Sequence, residues 1–85
     1  MKIELTEQAK SDIAHFNRAS PAKTKKVSRL LADIMRTPYR GLGKPEPLKY
    51  ELTGCWSRRI DHEHRLVYRV DGETVYILSC RFHYS

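Results

Sequence analysis

Pro38-Tyr39-Arg40-Gly41-Leu42-Gly43-Lys44-Pro45-Glu46-Pro47 divides the chain into two hydrophobic periodicities. Its two Gly and three Pro oppose regular structure, because proline withholds a backbone donor and glycine admits conformations outside helix and strand. Upstream, Val27, Leu30, Leu31, Ile34 and Met35 recur at i, i+3, i+4, i+7 and i+8, one face of a helix. Ser20-Pro21 opens that helix, with Ser as N-cap and Pro in the first turn, and Thr37-Pro38 stops it. An earlier helix carries Ala9, Ile13 and Phe16 on one face. Thr6 caps it, Leu5 staples it, and it ends near Asn17. Ile3 and Leu5 suit a short edge strand.

Downstream of the divide the period becomes two. Leu48-Lys49-Tyr50-Glu51-Leu52 alternates and Thr53-Gly54 turns. Further strands are predicted over 56–60, 65–70 and 74–84, joined by hairpins at Asp61-His62-Glu63-His64 and Asp71-Gly72-Glu73. A helical hairpin over 6–36 followed by a run of strands predicts an α+β fold. The hairpin packs on one face of a mainly antiparallel, twisted β-sheet. Leu66, Tyr68 and Val70 alternate with Arg65, Val67 and Arg69; Tyr76, Leu78, Cys80 and Phe82 alternate with Ile77, Ser79, Arg81 and His83. The even positions are expected in the core, and the odd ones on a polar face that becomes basic toward one end. Trp56 and Ile60 share one face of their strand and leave Ser57 and Arg59 on the other.

The chain has 85 residues, enough for a single domain spanning 1–85 and too few for a second domain or a nucleotide-binding βαβαβ unit. Its 16 Lys and Arg against 10 Asp and Glu leave a net charge of +6. That balance suits a polyanionic partner, nucleic acid or an acidic protein; the plain alternative is a soluble, lysine-rich surface. No apolar run approaches the ~20 residues of a membrane span, and Thr6-Glu7-Gln8 interrupts any signal-peptide core, so a cytoplasmic protein without membrane contact is expected. Cys55 and Cys80 lack C-x-x-C spacing and read as buried thiols. His62-x-His64 falls in a turn with no third ligand in view, so neither a metal nor a cofactor is expected. Trp56, Tyr68 and Tyr76 could stack on bases, but core packing is the simpler role.

Glu46 in the loop, Arg59, Arg65 and Arg81 on the strands, and His83 near the C-terminus form a kit for RNA cleavage without a metal. Cleavage needs a base for the 2′-hydroxyl, an acid for the leaving 5′-oxygen and a fixed cation for the phosphate between them. Carboxylate, imidazole and guanidinium suit these tasks. The same residue types also serve as ordinary solvated side chains.

Lys44-Pro45-Glu46-Pro47-Leu48-Lys49, Gly54-Cys55-Trp56-Ser57-Arg58-Arg59-Ile60, His64-Arg65-Leu66-Val67-Tyr68 and Cys80-Arg81-Phe82-His83-Tyr84 resemble the YoeB (Txe/YoeB) toxin family, motif after motif at that family's spacing. The resemblance is close over 36–84; the helical hairpin is similar in pattern more than in residues. It implies a RelE-like fold, akin to microbial ribonucleases, and a toxin of a type II toxin–antitoxin pair. It further implies mRNA cleavage in the ribosomal A site, neutralisation by a YefM-like antitoxin, repression of operator DNA only as the toxin–antitoxin complex, and dimer formation. Carried over by motif, Glu46 is the general base, Arg65 the phosphate-stabilising cation and His83 the general acid. Lys49, Arg59, Arg81 and Tyr84 are substrate-binding candidates. Phe82 departs from a usual Tyr, which removes a hydroxyl and no catalytic group. A non-catalytic nucleic-acid-binding or gyrase-directed module on the same fold stays open, as does a small partner-binding protein.

Those roles constrain the register of the last hairpin. A strict two-residue Asp71-Gly72 turn would pair Leu66 with Ile77 and put Arg65 and His83 on opposite faces. An even offset is needed, which predicts a three-residue loop over 70–72 with Gly72 left-handed in a bulge.

Overall fold

The computed structural model describes residues 1–81. Strand β1 (Lys2–Leu5) leads into helices α1 (Glu7–Ala19) and α2 (Pro21–Arg36); strands β2 (Glu46–Pro47), β3 (Trp56–Arg59), β4 (Arg65–Asp71) and β5 (Thr74–Ser79) follow. The five strands form one sheet in the order β1-β5-β4-β3-β2, antiparallel except for β1 beside β5. The expected α+β fold is what forms. Among the described residues no helix is long and apolar enough to cross a membrane.

Thr6 joins the first strand to the first helix. Its Oγ1 accepts the Ala9 N–H at 3.1 Å and donates to the Leu78 carbonyl at 2.8 Å, so one hydroxyl caps α1 and ties it to β5. Helix α1 runs two residues past Asn17, to Ala19. Ser20 holds the N-cap position of α2, but its side chain makes no capping bond there. The apolar faces of both helices meet the sheet in a core of Ala9, Phe16, Val27, Leu30, Ile34, Ile60, Leu66, Tyr68, Val75, Ile77 and Cys80. Both cysteines are buried and unbridged, and burial pushes the Cys80 thiol up to about 12. It is inert at neutral pH.

Three expectations need correction. The alternating stretch over 48–52 is not a strand: Tyr50–Leu52 form a 3-10 turn, and the strand lies two residues earlier, at Glu46–Pro47. Tyr50 takes a left-handed φ of 59°, which ends any extended run. Pro47 is tolerated because β2 is an edge strand, where a missing donor breaks no ladder.

The predicted three-residue loop is also absent. Asp71 pairs with Thr74 around a two-residue turn, Gly72-Glu73, with Gly72 left-handed at φ 61°. The even offset arises inside the strands instead. Tyr68 opposes Ile77, but past a register shift Val67 opposes Ser79. Leu78 is the extra residue of that bulge.

The register of the two-residue turn also overturns the even-position core of the last strand, because it sets the odd positions of β5 opposite the even positions of β4. Val75 and Ile77 are buried on the helix side, whereas Tyr76 and Leu78 are only half-buried. Beyond the shift Cys80 returns to the core. On the opposite face Leu48, Cys55 and Val67 bury a second, smaller cluster, with Leu52 and Leu78 against it. That face is therefore not uniformly polar. The strand over 74–84 ends, among the described residues, at Ser79.

Candidate functional site

The face away from the helices brings together residues distant in sequence. Glu46 on β2 opposes Ser57 on β3, and Arg59 at the end of β3 opposes Arg65 at the start of β4. Arg65 Nη1 donates to Glu46 Oε1 at 2.6 Å and to Ser57 Oγ at 3.2 Å. The Arg65 side chain is 11% exposed and that of Glu46 49%. A sheltered guanidinium thus holds a carboxylate that solvent, or a substrate, can reach. Charge-assisted bonds of this length are the strong ones.

The preceding turn fixes where Arg65 emerges. Asp61 Oδ1 accepts the N–H of Glu63 at 2.8 Å and of His64 at 2.7 Å, and Lys23 Nζ lies 3.3 Å from its other oxygen. Burial works to raise the Asp61 pKa. The His64 and Glu63 amides and the Lys23 ammonium outweigh it and hold the carboxyl below its usual value. His64 turns inward, 93% buried by its 7% exposure, and meets Phe16 edge-on at 5.2 Å between ring centroids. The next side chain along the strand, Arg65, then points to the outer face. Among the described residues, no three His, Cys, Asp or Glu side chains gather as a metal-binding group.

Of the other candidates, Lys49 is exposed at the start of the 3-10 turn, beside Glu46 in a cleft of about 460 Å³ lined by residues 46–52. Arg59 is exposed, and its N–H donates to the Gly43 carbonyl at 2.7 Å. Arg81 is half-buried, its N–H donating to Asp12 Oδ2 at 3.3 Å. His83 and Tyr84 lie outside the described residues.

The family model described as the YoeB-like toxin of bacterial type II toxin-antitoxin systems matches residues 5–84. The chain belongs to the YoeB toxin family. Toxin YoeB of Streptomyces coelicolor is 46% identical over 84 residues, which cover 99% of this chain and 100% of that protein. The YoeB dimer structure from Staphylococcus aureus superposes with a TM-score of 0.92 at 46% identity, covering 99% of this chain and 98% of that one. The toxin chain of the S. aureus YoeB-YefM complex superposes at 0.89 with 47% identity, over 96% and 95%.

In this YoeB-family toxin the charges that hold the site up sit within apolar patterns of the sequence. Arg58 is completely buried on the helix side of β3. Its guanidinium donates to Asp33 Oδ2 at 2.5 Å, to the carbonyls of Thr37, Arg40 and Leu42 at 2.6, 3.0 and 3.2 Å, and to the Tyr68 hydroxyl at 3.1 Å. Tyr68 in turn donates to the Pro38 carbonyl at 2.6 Å. The irregular segment before Glu46 is thus clamped to the sheet. Gly41 and Gly43 belong to the clamp: a Cβ at the first would run into the Asp33 carboxylate, and one at the second would sit 3.0 Å from the Arg59 carbonyl.

Asp12 does similar work at the far end. Its Oδ2 accepts the N–H of Cys80 at 2.9 Å and of Arg81, holding the chain where β5 ends. The signal for Asp12 and Asp33 was a carboxylate within an apolar helical stripe, beside Ala9 and Phe16 in one helix and Leu30 and Ile34 in the other. Strand alternation puts Ser57 on the polar face, but nothing in the pattern indicates that it accepts from Arg65.

Proposed function

We propose that this toxin is an endoribonuclease that cuts mRNA in the ribosomal A site and is neutralised by a YefM-like antitoxin. The observation that carries the reading is the 2.6 Å contact between Arg65 and Glu46, which a separation of 19 residues in sequence does not provide. A base and a phosphate-binding cation stand side by side on an open face. Glu46 takes the proton of the 2′-hydroxyl as that oxygen attacks the adjacent phosphorus. Arg65 stabilises the charge gathering on the phosphate, its planar fork matching two phosphate oxygens. His83 protonates the departing 5′-oxygen, leaving a 2′,3′-cyclic phosphate. Lys49, Arg59, Arg81 and Tyr84 hold the strand. The scheme uses side chains alone.

Dependence on the ribosome follows from the openness of this face. A cleft of about 460 Å³ does not enclose an RNA strand, so the in-line geometry comes from the substrate's setting. Orientation of that kind is worth roughly 7–11 kcal/mol. The solved S. aureus complex supports a YefM-like partner and the S. aureus dimer supports self-association. Operator DNA is bound only by the toxin–antitoxin pair.

The test is cleavage of message on programmed ribosomes with a vacant A site, against the same message free. We expect cutting on the ribosome, cyclic-phosphate ends, and losses of ~10²–10⁴-fold for Glu46→Ala and His83→Ala. Arg65→Lys should restore little, since a point charge replaces a fork. Full cleavage by the Glu46 variant sinks the assignment. Message left whole by the unaltered toxin leaves a non-catalytic module instead.

A further inference from the structure

Tyr50 is 87% exposed, the most exposed large apolar residue among those described. Among the described residues it is also one of two other than glycine with a positive φ, at 59°. A bulky side chain seldom adopts this left-handed conformation, because its Cβ crowds the backbone; glycine or asparagine is the usual occupant. The turn nonetheless holds it there. The Tyr50 carbonyl accepts both the Thr53 N–H, at 3.1 Å, and the Thr53 hydroxyl, at 2.7 Å. The chain thus accepts an unfavourable backbone geometry to project an aromatic ring into solvent, where it contributes no packing. Strain without a packing return points to function.

The ring's location says which function. Tyr50 lines the same cleft as Glu46 and Lys49. Within one short segment the molecule presents a carboxylate, an ammonium and an unburied aromatic face. Grooves for single-stranded nucleic acid combine cations that follow the backbone with rings on which bases stack.

Resting on the nuclease reading above, we infer that Tyr50 is a stacking platform for a message nucleobase beside the scissile phosphate. It adds affinity and orientation rather than chemistry. Because every base has a π-face, it strengthens cleavage without choosing the codon. The hydrogen-bonded turn fixes where the side chain leaves the backbone, so binding has only the ring's own rotamers to order.

The experiment is single-turnover cleavage of ribosome-bound message as a function of toxin concentration, with Tyr50→Ala, Tyr50→Gly, Tyr50→Phe and Tyr50→Trp. Loss of one stack should weaken half-saturation by about 5- to 150-fold in the Ala and Gly variants, with the cleavage sites unchanged. Phe and Trp keep a ring and should retain most of the affinity. Tyr50→Gly relieves the left-handed strain, so its melting temperature should equal or exceed that of the unaltered toxin while its cleavage weakens. A structural role predicts the reverse. Abasic residues placed in turn at each codon position should identify one position where the base and the ring no longer add independently.

Tyr50→Ala cutting with unaltered half-saturation overturns the inference alone, provided Glu46→Ala remains inactive. Tyr50→Ala that cuts normally but escapes neutralisation reassigns the ring to the antitoxin. Ring dependence that survives all three abasic positions places the stack off the codon and likewise overturns it. A toxin that leaves ribosome-bound message whole removes the nuclease reading and this inference together.

Discussion

Arg58 occupies a position where strand alternation calls for an apolar side chain, and its buried charge is tolerable only because its acceptors surround it. Removing one member of such a pair strands the other. Arg58→Met should therefore destabilise the toxin by about 3–5 kcal/mol, measured by urea denaturation. Arg58→Lys should recover little, because one ammonium cannot reach the carbonyls of Thr37, Arg40 and Leu42 together. Near-normal stability in either variant would mean that the segment before Glu46 holds itself. The same cluster shapes the acid limb. The Leu42 N–H, then the Arg58 guanidinium, holds the Asp33 carboxyl below its usual 3.8. A carboxyl depressed in the folded state contributes stability that is present above pH 3.8 and lost as pH falls through the lower, folded value. An NMR titration should find Asp33 ionising below 3.8, and closer to it in Arg58→Met, where the Leu42 bond remains. An unshifted Asp33 in the unaltered protein would contradict the network.

At the scale of elements, the segment from β2 to β3 rests on the small outer cluster rather than on the main core. Leu48 is its first buried side chain, and the Leu48 N–H also donates to the Cys55 carbonyl at 2.9 Å. Leu48→Ala should cost about 2 kcal/mol, the low end for such truncations, because a cluster this small collapses readily. Its effect on the cleft should be larger than its effect on the fold. Amide exchange should quicken at Leu52, Thr53 and Cys55, and on the proposed nuclease reading cleavage should fall at temperatures where the protein is still folded. Equal protection at these amides would show that the turn does not depend on the cluster. The alternation over 48–52 reads as a strand because Leu48 and Leu52 are both apolar and both pack. It is Tyr50 between them, left-handed and exposed, that breaks the pattern, and the period of hydrophobicity does not register a dihedral angle.

For the molecule as a whole, a charge of +6 governs encounter more than folding. An acidic antitoxin segment should associate quickly at low salt and more slowly as ions screen the attraction. Raising sodium chloride from about 0.05 to 0.5 M should cut the association rate roughly tenfold or more while changing dissociation much less. Stopped-flow mixing of toxin and antitoxin measures both. Association indifferent to salt would leave the charge without this role. Binding should also raise the melting temperature, since a ligand of the native state draws the equilibrium toward it.

The sequence alone determined the two helices, the hairpin turn at 61–64, the place but not the length of the last hairpin turn, the mainly antiparallel sheet and the burial of both thiols. Those features rest on local periodicity and on turn chemistry, which neighbouring residues carry among themselves. Residue types and a family resemblance also singled out Glu46 and Arg65. Only the tertiary structure decided that they touch, that Leu78 bulges and moves Cys80 back into the core, and that Asp12 and Asp33 face inward to partners 68 and 25 residues away. Register and the pairing of buried charge are settled by what lies across the sheet. A carboxylate in a helical stripe looks the same in sequence whether it meets water or a guanidinium.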